Sequence, residues 1–288
     1  QLIPEDYEYL HRRGINDETI KRVKLGRTDN GRLCFPYWKN GYIAYYATRW
    51  MPGGAMPNTK YWKLPIEKNP MCEHTVWGLH SIENNPSRDL LVIAEGAFDA
   101  LSFEQESFAV ISAITGNFSK EQLPTVLSIA KMFKKVFLVF DNDVVSKAGE
   151  KFTIKMTKIL IENRIPCIVG KVPPTYKDIS EYYADGGNLQ EIIDNAKDGI
   201  TFIAELITDI KELETFARKV CRYMTTAEIN TFFRDIERAT DFDPEDLKEL
   251  KKECKKPPSD NDIAKEVIAK HKLLYNPKIS FFEFNGRY

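Results

Sequence analysis

Cysteine is scarce in this 288-residue sequence, and the five present, Cys34, Cys72, Cys167, Cys221 and Cys254, form no Cys-x-x-Cys pair. An odd number at scattered spacings argues against a disulfide framework and against a structural zinc site. His74 close to Cys72 is the one Cys/His neighbour pair, and it lacks two further ligands at metal spacing. A reducing, cytoplasmic setting suits such a chain. No apolar run approaches the roughly 20 residues of a membrane span, and no signal peptide opens the sequence. Net charge is nearly absent as well, at −1, so composition does not advertise a polyanion-binding protein. The balance is local, however. Residues 1–63 hold 11 Lys/Arg against 6 Asp/Glu, a basic surplus near the N-terminus. The first residue is Gln1 rather than Met, from which a piece of a longer polypeptide is expected.

What is present describes an ordinary soluble globular chain, 43% hydrophobic and 29% charged, with length for about two domains. Its organising stretch runs from Leu90 to Gly149. Leu90-Leu91-Val92-Ile93-Ala94 stops abruptly at Glu95-Gly96, and Val136-Phe137-Leu138-Val139-Phe140 stops at Asp141-Asn142-Asp143. Both runs read as buried parallel strands, each followed by a helix-compatible segment. The order strand, acid, turn, helix, twice over, predicts an α/β fold. In an open parallel sheet, ligands bind beyond the carboxyl ends of the strands, where Glu95, Asp141 and Asp143 fall. Carboxylates crowded there repel unless protonated or bridged by a divalent cation, and an all-oxygen set favours Mg²⁺ or Mn²⁺ over zinc. The alternative is that these acids are solvated turn residues.

Val92-Ile93-Ala94-Glu95-Gly96-Ala97-Phe98-Asp99-Ala100-Leu101, followed by Phe140-Asp141-Asn142-Asp143 with Ala148-Gly149, resembles the Toprim domain, in the version found in bacterial DnaG-type primases. The resemblance implies a Rossmann-like parallel sheet whose catalytic Glu95, Asp141 and Asp143 hold metal, with Asp99 in the same cluster. Helical spacing from 95 to 99 is expected to bring that pair to one face. Val110-Ile111-Ser112-Ala113-Ile114-Thr115-Gly116 is similar to the family's strand and Gly/Thr turn, and Ser119-x-x-Gln122 reads as a capping box. The family's later Asp-Pro-Asp motif falls on Lys177-Asp178-Ile179-Ser180-Glu181. Asp178 matches as a metal residue, and Ser180 replaces the second acid.

Upstream, Pro4 to Val23 reads as two short helices broken at Gly14, with Asn16 or Asp17 capping the second and Gly26 ending it. Arg32–Trp38 and Tyr42–Trp50 read as strands of a hairpin turning at Asn40-Gly41, with Pro36 at an edge or a bulge. Tyr9-Leu10-His11-Arg12-Arg13-Gly14-Ile15-Asn16, Phe35-Pro36, Arg49, Thr59-Lys60-Tyr61 and Val76-Trp77-Gly78-Leu79 resemble the DnaG-type core, with Thr48 and Thr59 in place of the family's Gly and Pro. Arg32, Arg49, Lys60 and Tyr61 are the nucleic-acid-binding candidates, since template phosphates need cations and Arg offers a bidentate fork. The interleaved aromatics either stack bases or form sheet core.

Past Gly186-Gly187 the pattern is helical, from Leu189 to Cys254, with Asp209 and Thr225 as caps. Lys255 to Asp260 reads as a linker, and Asp262–Tyr288 resembles the start of the module preceding the helicase in phage and plasmid primase-helicases. Its strand around Ile279–Phe282 has no evident partner. The expected organisation is a basic α+β subdomain over 1–88, a Toprim domain over 89–186, a helical subdomain over 187–256, and a linker with the start of a helicase-associated module over 257–288. The resemblance implies a DNA primase core, a nucleotidyltransferase making short RNA from NTPs on single-stranded DNA. It further implies a replicative helicase fused C-terminally, in a bacterial cell and of phage or plasmid type. A metal-dependent Toprim nuclease and a non-catalytic single-strand-binding scaffold are the alternatives.

Overall fold

A computed structural model describes residues 1–52, 60–69, 71–140, 142, 148–222, 224–255, 273–276 and 280–283. The chain divides into two compact units, Gln1–Ile203 and Ala204–Tyr288. The first begins with α1 (Pro4–Arg12) and α2 (Asp17–Val23). Asn16 caps α2 by accepting the Thr19 amide at 2.8 Å. The left-handed residue that stops α2 is Lys24, at φ 57°, rather than Gly26; Gly26 already opens β1 (Gly26–Arg27). β2 (Arg32–Lys39), β3 (Tyr42–Trp50) and β4 (Tyr61–Lys63) follow, in an antiparallel sheet ordered β1-β2-β3-β4. Asn40 and Gly41 both take positive φ, 50° and 80°, the backbone a two-residue turn between twisted strands demands. Pro36 is tolerated inside β2 because β1 reaches only Leu33 and Cys34. A register irregularity follows at once, between Tyr37 and Trp38.

After α3 (Leu79–Asn84), a second sheet is assembled from β5 (Leu90–Ala94), β6 (Ala109–Ser112), β7 (Lys135–Phe140), β8 (Cys167–Lys171) and β9 (Lys197–Asp198), in the order β6-β5-β7-β8-β9. Its first four strands are parallel and β9 is antiparallel. The connections between the parallel strands carry α4 (Ala97–Gln105), α5 (Leu123–Ala130) and α6 (Ala148–Glu162), and α7 (Ile179–Ala184) and α8 (Leu189–Asp194) lie between β8 and β9; parallel neighbours need such crossover connections. The Ser119/Gln122 box forms, with Gln122 Oε1 accepting the Ser119 amide at 3.0 Å and Ser119 Oγ the Gln122 amide at 3.3 Å. Gly78, at φ 99°, starts α3 so close to β6 that a Cβ there would lie 2.0 Å from the Val110 carbonyl oxygen; only glycine fits.

Helix α4 joins the two sheets. Phe98 meets Phe35 of β2 and Tyr9 of α1 edge-on, with centroids 5.8 and 5.6 Å apart. Phe103, on the same helix, meets Phe137 of β7 at 5.8 Å. Glu104 is buried and is held by Arg22 of α2, whose Nε and Nη2 donate to its carboxylate at 2.9 and 3.1 Å.

His80 of α3 is buried beside this pair, its Nε2 3.8 Å from Glu104 Oε1. Burial, and then the charge of Arg22, push its pKa down to about 4. The ring is therefore neutral at pH 7. Because the unfolded chain takes up that proton near pH 6.5, the folded state holds this contribution above about 6.5 and loses it as pH falls through about 4, roughly 3 kcal/mol in all. An NMR titration is expected to place the His80 midpoint near 4; a midpoint near 6.5 would contradict the burial.

The second unit holds α10 (Ile210–Cys221), α11 (Thr226–Ala239) and α12 (Pro244–Cys254), while α9 (Gly199–Leu206) spans the boundary. Asp209 and Thr225 cap α10 and α11 as the sequence predicts. Phe216, Phe232 and Phe233 centre its core. The strand expected to lack a partner pairs: β11 (Ser280–Glu283) runs antiparallel to β10 (Leu273–Asn276). The linker and the helix expected from Asp262 lie outside the described residues. No helix among the described residues is long and apolar enough to cross a membrane.

Candidate active site

Strand β5 ends at Ala94, and Glu95 follows at its carboxyl end, outside α4, whose cap is Gly96. Glu95 and Asp99 are therefore not one helical face, as their spacing suggested. They meet because the chain turns between them. Both line a cavity of about 410 Å³ together with Arg13, Arg49, Lys60, Tyr61 and Asp178. The rest of the wall is the start of α4, Gly96–Phe98, and the turn Ile114–Asn117 after β6. Ile114 takes a left-handed φ of 63°, costly for a β-branched residue. It is held there by Ser112 Oγ, which accepts its amide at 2.9 Å, while Lys63 Nζ donates to the Ala113 carbonyl at 3.0 Å.

Asp99 ties two helix starts together. Its Oδ1 accepts the Ser180 amide in the first turn of α7 at 3.1 Å, and the Gly96 amide bonds its carboxylate at the start of α4. A Cβ on residue 96 would sit 2.4 Å from Asp99 Oδ2. Burial, then the nearby charge of Asp178, raise the Asp99 pKa. Asp178 caps α7 by accepting the Glu181 amide at 2.8 Å, and its Oδ2 lies 3.6 Å from Arg13 Nη2. Glu181 Oε2 accepts the Lys177 amide at 2.7 Å.

The same cavity holds cations packed on rings. The guanidinium carbons of Arg13 and Arg49 lie 4.7 and 4.8 Å from the centre of Phe98, within cation–π range. Arg49 Nη1 donates to the Tyr61 hydroxyl at 2.8 Å. The Nε atoms of both arginines are buried with no hydrogen-bond partner among the described residues. The Tyr61 phenol is pushed up to about 12 by burial, partly offset by Arg49. Lys60 is lowered by burial and then by Arg49, Lys177 and Arg13. An anion entering here would satisfy free N–H groups and relieve the repulsion among the cations.

Arg32 lies elsewhere. It lines a second recess with Thr28, Asp29, Asn30, Tyr46, Thr48 and Trp62. Its Nε donates to Thr48 Oγ1 at 2.7 Å, and it stacks 4.6 Å from the centre of Trp50. Leu33, not Arg32, is paired with Arg49 across β2 and β3, so the two arginines project from opposite faces of the sheet.

Asp141 and Asp143 lie outside the described residues. Among the described residues no three carboxylate, imidazole or thiolate groups stand close enough together to hold a metal ion. Glu95, Asp99 and Asp178 nevertheless line one cavity, where burial and then the charge of Asp178 raise the Asp99 pKa. An all-oxygen donor set is the kind that fits a hard divalent cation. Sequence reasoning missed Arg13 and the Ile114–Asn117 turn as parts of the wall. The signal for Arg13 was a second arginine directly before Gly14, at a helix end.

Residues 92–183 match the Toprim-like family. The chain is 33% identical over 109 residues to the DNA primase of Thermotoga maritima, a match covering 37% of this chain and 18% of that protein. The matched part is thus less than a fifth of that curated relative. Its fold is similar to the Aquifex aeolicus primase, in a structure of its zinc-binding and RNA polymerase domains, with 17% identity over 85% of this chain and 69% of that one and a TM-score of 0.64. It is also similar to a DnaG primase catalytic domain bound to single-stranded DNA, with 13% identity over 87% of this chain and 90% of that one and a TM-score of 0.56. Toprim primases are metal-dependent. Residues 92–183 thus resemble a Toprim-like domain, and the fold around them is similar to that of the DnaG-type primase catalytic core.

Proposed function

We propose that this chain is the catalytic core of a DNA primase, a nucleotidyltransferase that joins NTPs into short RNA on a single-stranded DNA template. The observation that carries the reading is one cavity lined both by carboxylates, Glu95, Asp99 and Asp178, and by cations, Arg13, Arg49 and Lys60, with the Nε donors of the two arginines unused among the described residues. A nucleotide triphosphate bound through a divalent cation presents positive charge to the carboxylates and phosphate oxygens to the cations. Mg²⁺ or Mn²⁺ is the fitting ion, held by Glu95 with Asp141 and Asp143 and with Asp99 and Asp178 adding charge at its edge. When bound it would neutralise charge developing on the phosphates.

The chain's own groups have separate tasks. Arg49 and Lys60 take phosphate oxygens. Tyr61, neutral at pH 7, accepts from Arg49 and keeps its own proton to donate. Arg32, with the exposed Trp62 beside it, contacts the strand on the sheet's other face. A replicative helicase joined C-terminally and a cytoplasmic, phage or plasmid setting complete the reading.

A gel assay with single-stranded DNA, labelled ribonucleotides and Mg²⁺ or Mn²⁺ tests it. Extension products support a primase; shortened DNA would mean a nuclease, and a mobility shift alone a scaffold. In the same system, Arg49→Ala and Lys60→Ala are expected to weaken binding to all single strands and to lower the salt slope by about 0.7 for each phosphate left without its cation. Unchanged slopes in both folded variants would remove them from the strand's path.

A further inference from the structure

Two of the five cysteines, far apart in sequence, meet in the second unit. Cys221 is the last residue of α10 and Cys254 the last of α12, and their thiols are hydrogen-bonded to each other. The helices bring them together by packing side by side. Glu214 and Arg218 of α10 and Glu249 and Glu253 of α12 line one groove. Arg218, one turn before Cys221, pairs through Nη2 with Glu253, the residue next to Cys254. Val220 of α10 and Leu250 of α12 are buried. Apolar packing and the ion pair thus fix both helix ends, so the contact does not depend on two free side chains finding each other.

The two thiols are not equivalent. Cys221 is 2% exposed, whereas Cys254 is half-buried. The hydrogen bond donated by Cys221 lowers the Cys254 pKa, outweighing burial, and Arg218 adds to the fall. The same bond, and then burial, raise that of Cys221. Elsewhere burial pushes Cys34 up to about 11 and Cys167 up to about 12, which leaves those thiols inert. A reachable thiolate with a second thiol already in contact is the arrangement that closes a disulfide through a sulfenic acid.

We propose that Cys254 and Cys221 form a reversible oxidation site that takes a hydroperoxide as oxidant, with Cys254 attacking and Cys221 resolving. The Cys254 thiolate attacks one peroxide oxygen. An S–O bond forms, the O–O bond breaks, and the departing hydroxide takes up the proton that Cys254 had released, leaving as water. The Cys221 sulfur then attacks the sulfenic sulfur. An S–S bond forms, the S–O bond breaks, and the second hydroxide leaves as water with the Cys221 proton. The two sulfurs together give up two electrons, and the peroxide takes both. In a reducing setting such a disulfide is transient, since dithiols return it to two thiols by exchange. While it lasts, it closes a loop of 34 residues that contains α11 and ties the end of α10 to the end of α12.

The test treats the whole chain, reduced beforehand, with near-stoichiometric hydrogen peroxide. Thiols are then counted by alkylation in denaturant, and cross-links are mapped by mass spectrometry. In the unsubstituted protein the five alkylatable thiols are expected to fall to three, with a Cys221–Cys254 cross-link inside one chain that dithiothreitol removes. Cys254→Ser is expected to lose thiols about tenfold more slowly. Cys221→Ala is expected to form no internal cross-link and to hold Cys254 as a sulfenic acid that dimedone traps. Five thiols that persist, a different cross-linked pair, or cross-links only between chains would each overturn the site. Equal rates of thiol loss in Cys254→Ser and the unsubstituted protein overturn the attacking role of Cys254. The cross-link map is read on the unsubstituted protein, so it decides the pairing even where a variant fails to fold.

Discussion

Glu95→Gln is expected to lower nucleotide incorporation by about 10³-fold, a loss of roughly 4 kcal/mol of transition-state stabilisation, while the protein stays folded. The change removes a charge and keeps the volume, so the packing of β5 against its neighbours is untouched. Glu95 projects from the carboxyl end of a strand into the cavity shared with Asp99, Asp178, Arg13 and Arg49. A neutral amide there would leave a bound metal ion with one anionic ligand fewer. Asp141→Asn and Asp143→Asn are expected to behave in the same way. Primer synthesis measured on ribonucleotides, beside a thermal melt, decides the matter. A folded Glu95→Gln protein with near-normal synthesis would sink the assignment.

Arg22→Ala is expected to cost about 3 kcal/mol of stability at pH 7, near the low end for breaking a buried ion pair because Arg22 itself is partly exposed. Glu104 is only 4% exposed, and Arg22 supplies two hydrogen bonds to its carboxylate and a third to its carbonyl at 3.0 Å. Loss of the arginine leaves a buried carboxylate with no compensating cation at neutral pH. His80 lies nearby and can acquire charge, and Arg22 is among the causes of its low pKa. In the variant the ring should take up a proton more readily and pair with Glu104. The deficit relative to the unsubstituted protein should therefore shrink as pH falls from 7 to 5. Urea unfolding at both pH values reads this directly. A deficit under 1 kcal/mol at pH 7, or one that grows toward pH 5, would show that the pair contributes little.

The strand ends were legible because β5 and β7 are buried on both faces, so their apolar runs are continuous and the change to acid is abrupt. Helix caps at Asn16, Asp209 and Thr225 were legible for a similarly local reason. The grouping of Arg32 with Arg49 was not. Counting back from the Asn40-Gly41 turn pairs Arg32 with Arg49, which would set them on one face. The observed pairs are Lys39 with Tyr42 and Trp38 with Ile43, and then Tyr37 with Tyr45. One extra residue on β3 shifts all later pairs, and because side chains alternate, the slip sends Arg32 to the opposite face. Nothing in residues 37–45 announces that bulge. The contact between Cys221 and Cys254 was hidden for another reason: the two lie 33 positions apart, at the ends of different helices.

The two margins of the five-stranded sheet bear on how the protein behaves in concentrated solution. On one side β9 covers β8 with only two residues, in the antiparallel sense. On the other, Trp77 makes a single antiparallel bridge to Ser112 at the end of β6, its carbonyl accepting the Ser112 amide at 3.1 Å. Parallel strands rich in valine, isoleucine and phenylalanine, left with a bare ladder of amides and carbonyls, would be templates for a second molecule's strand. Short, oppositely directed stubs occupy those ladders without offering a long edge of their own. The five-stranded sheet thereby offers little bare ladder at either margin for edge-to-edge aggregation.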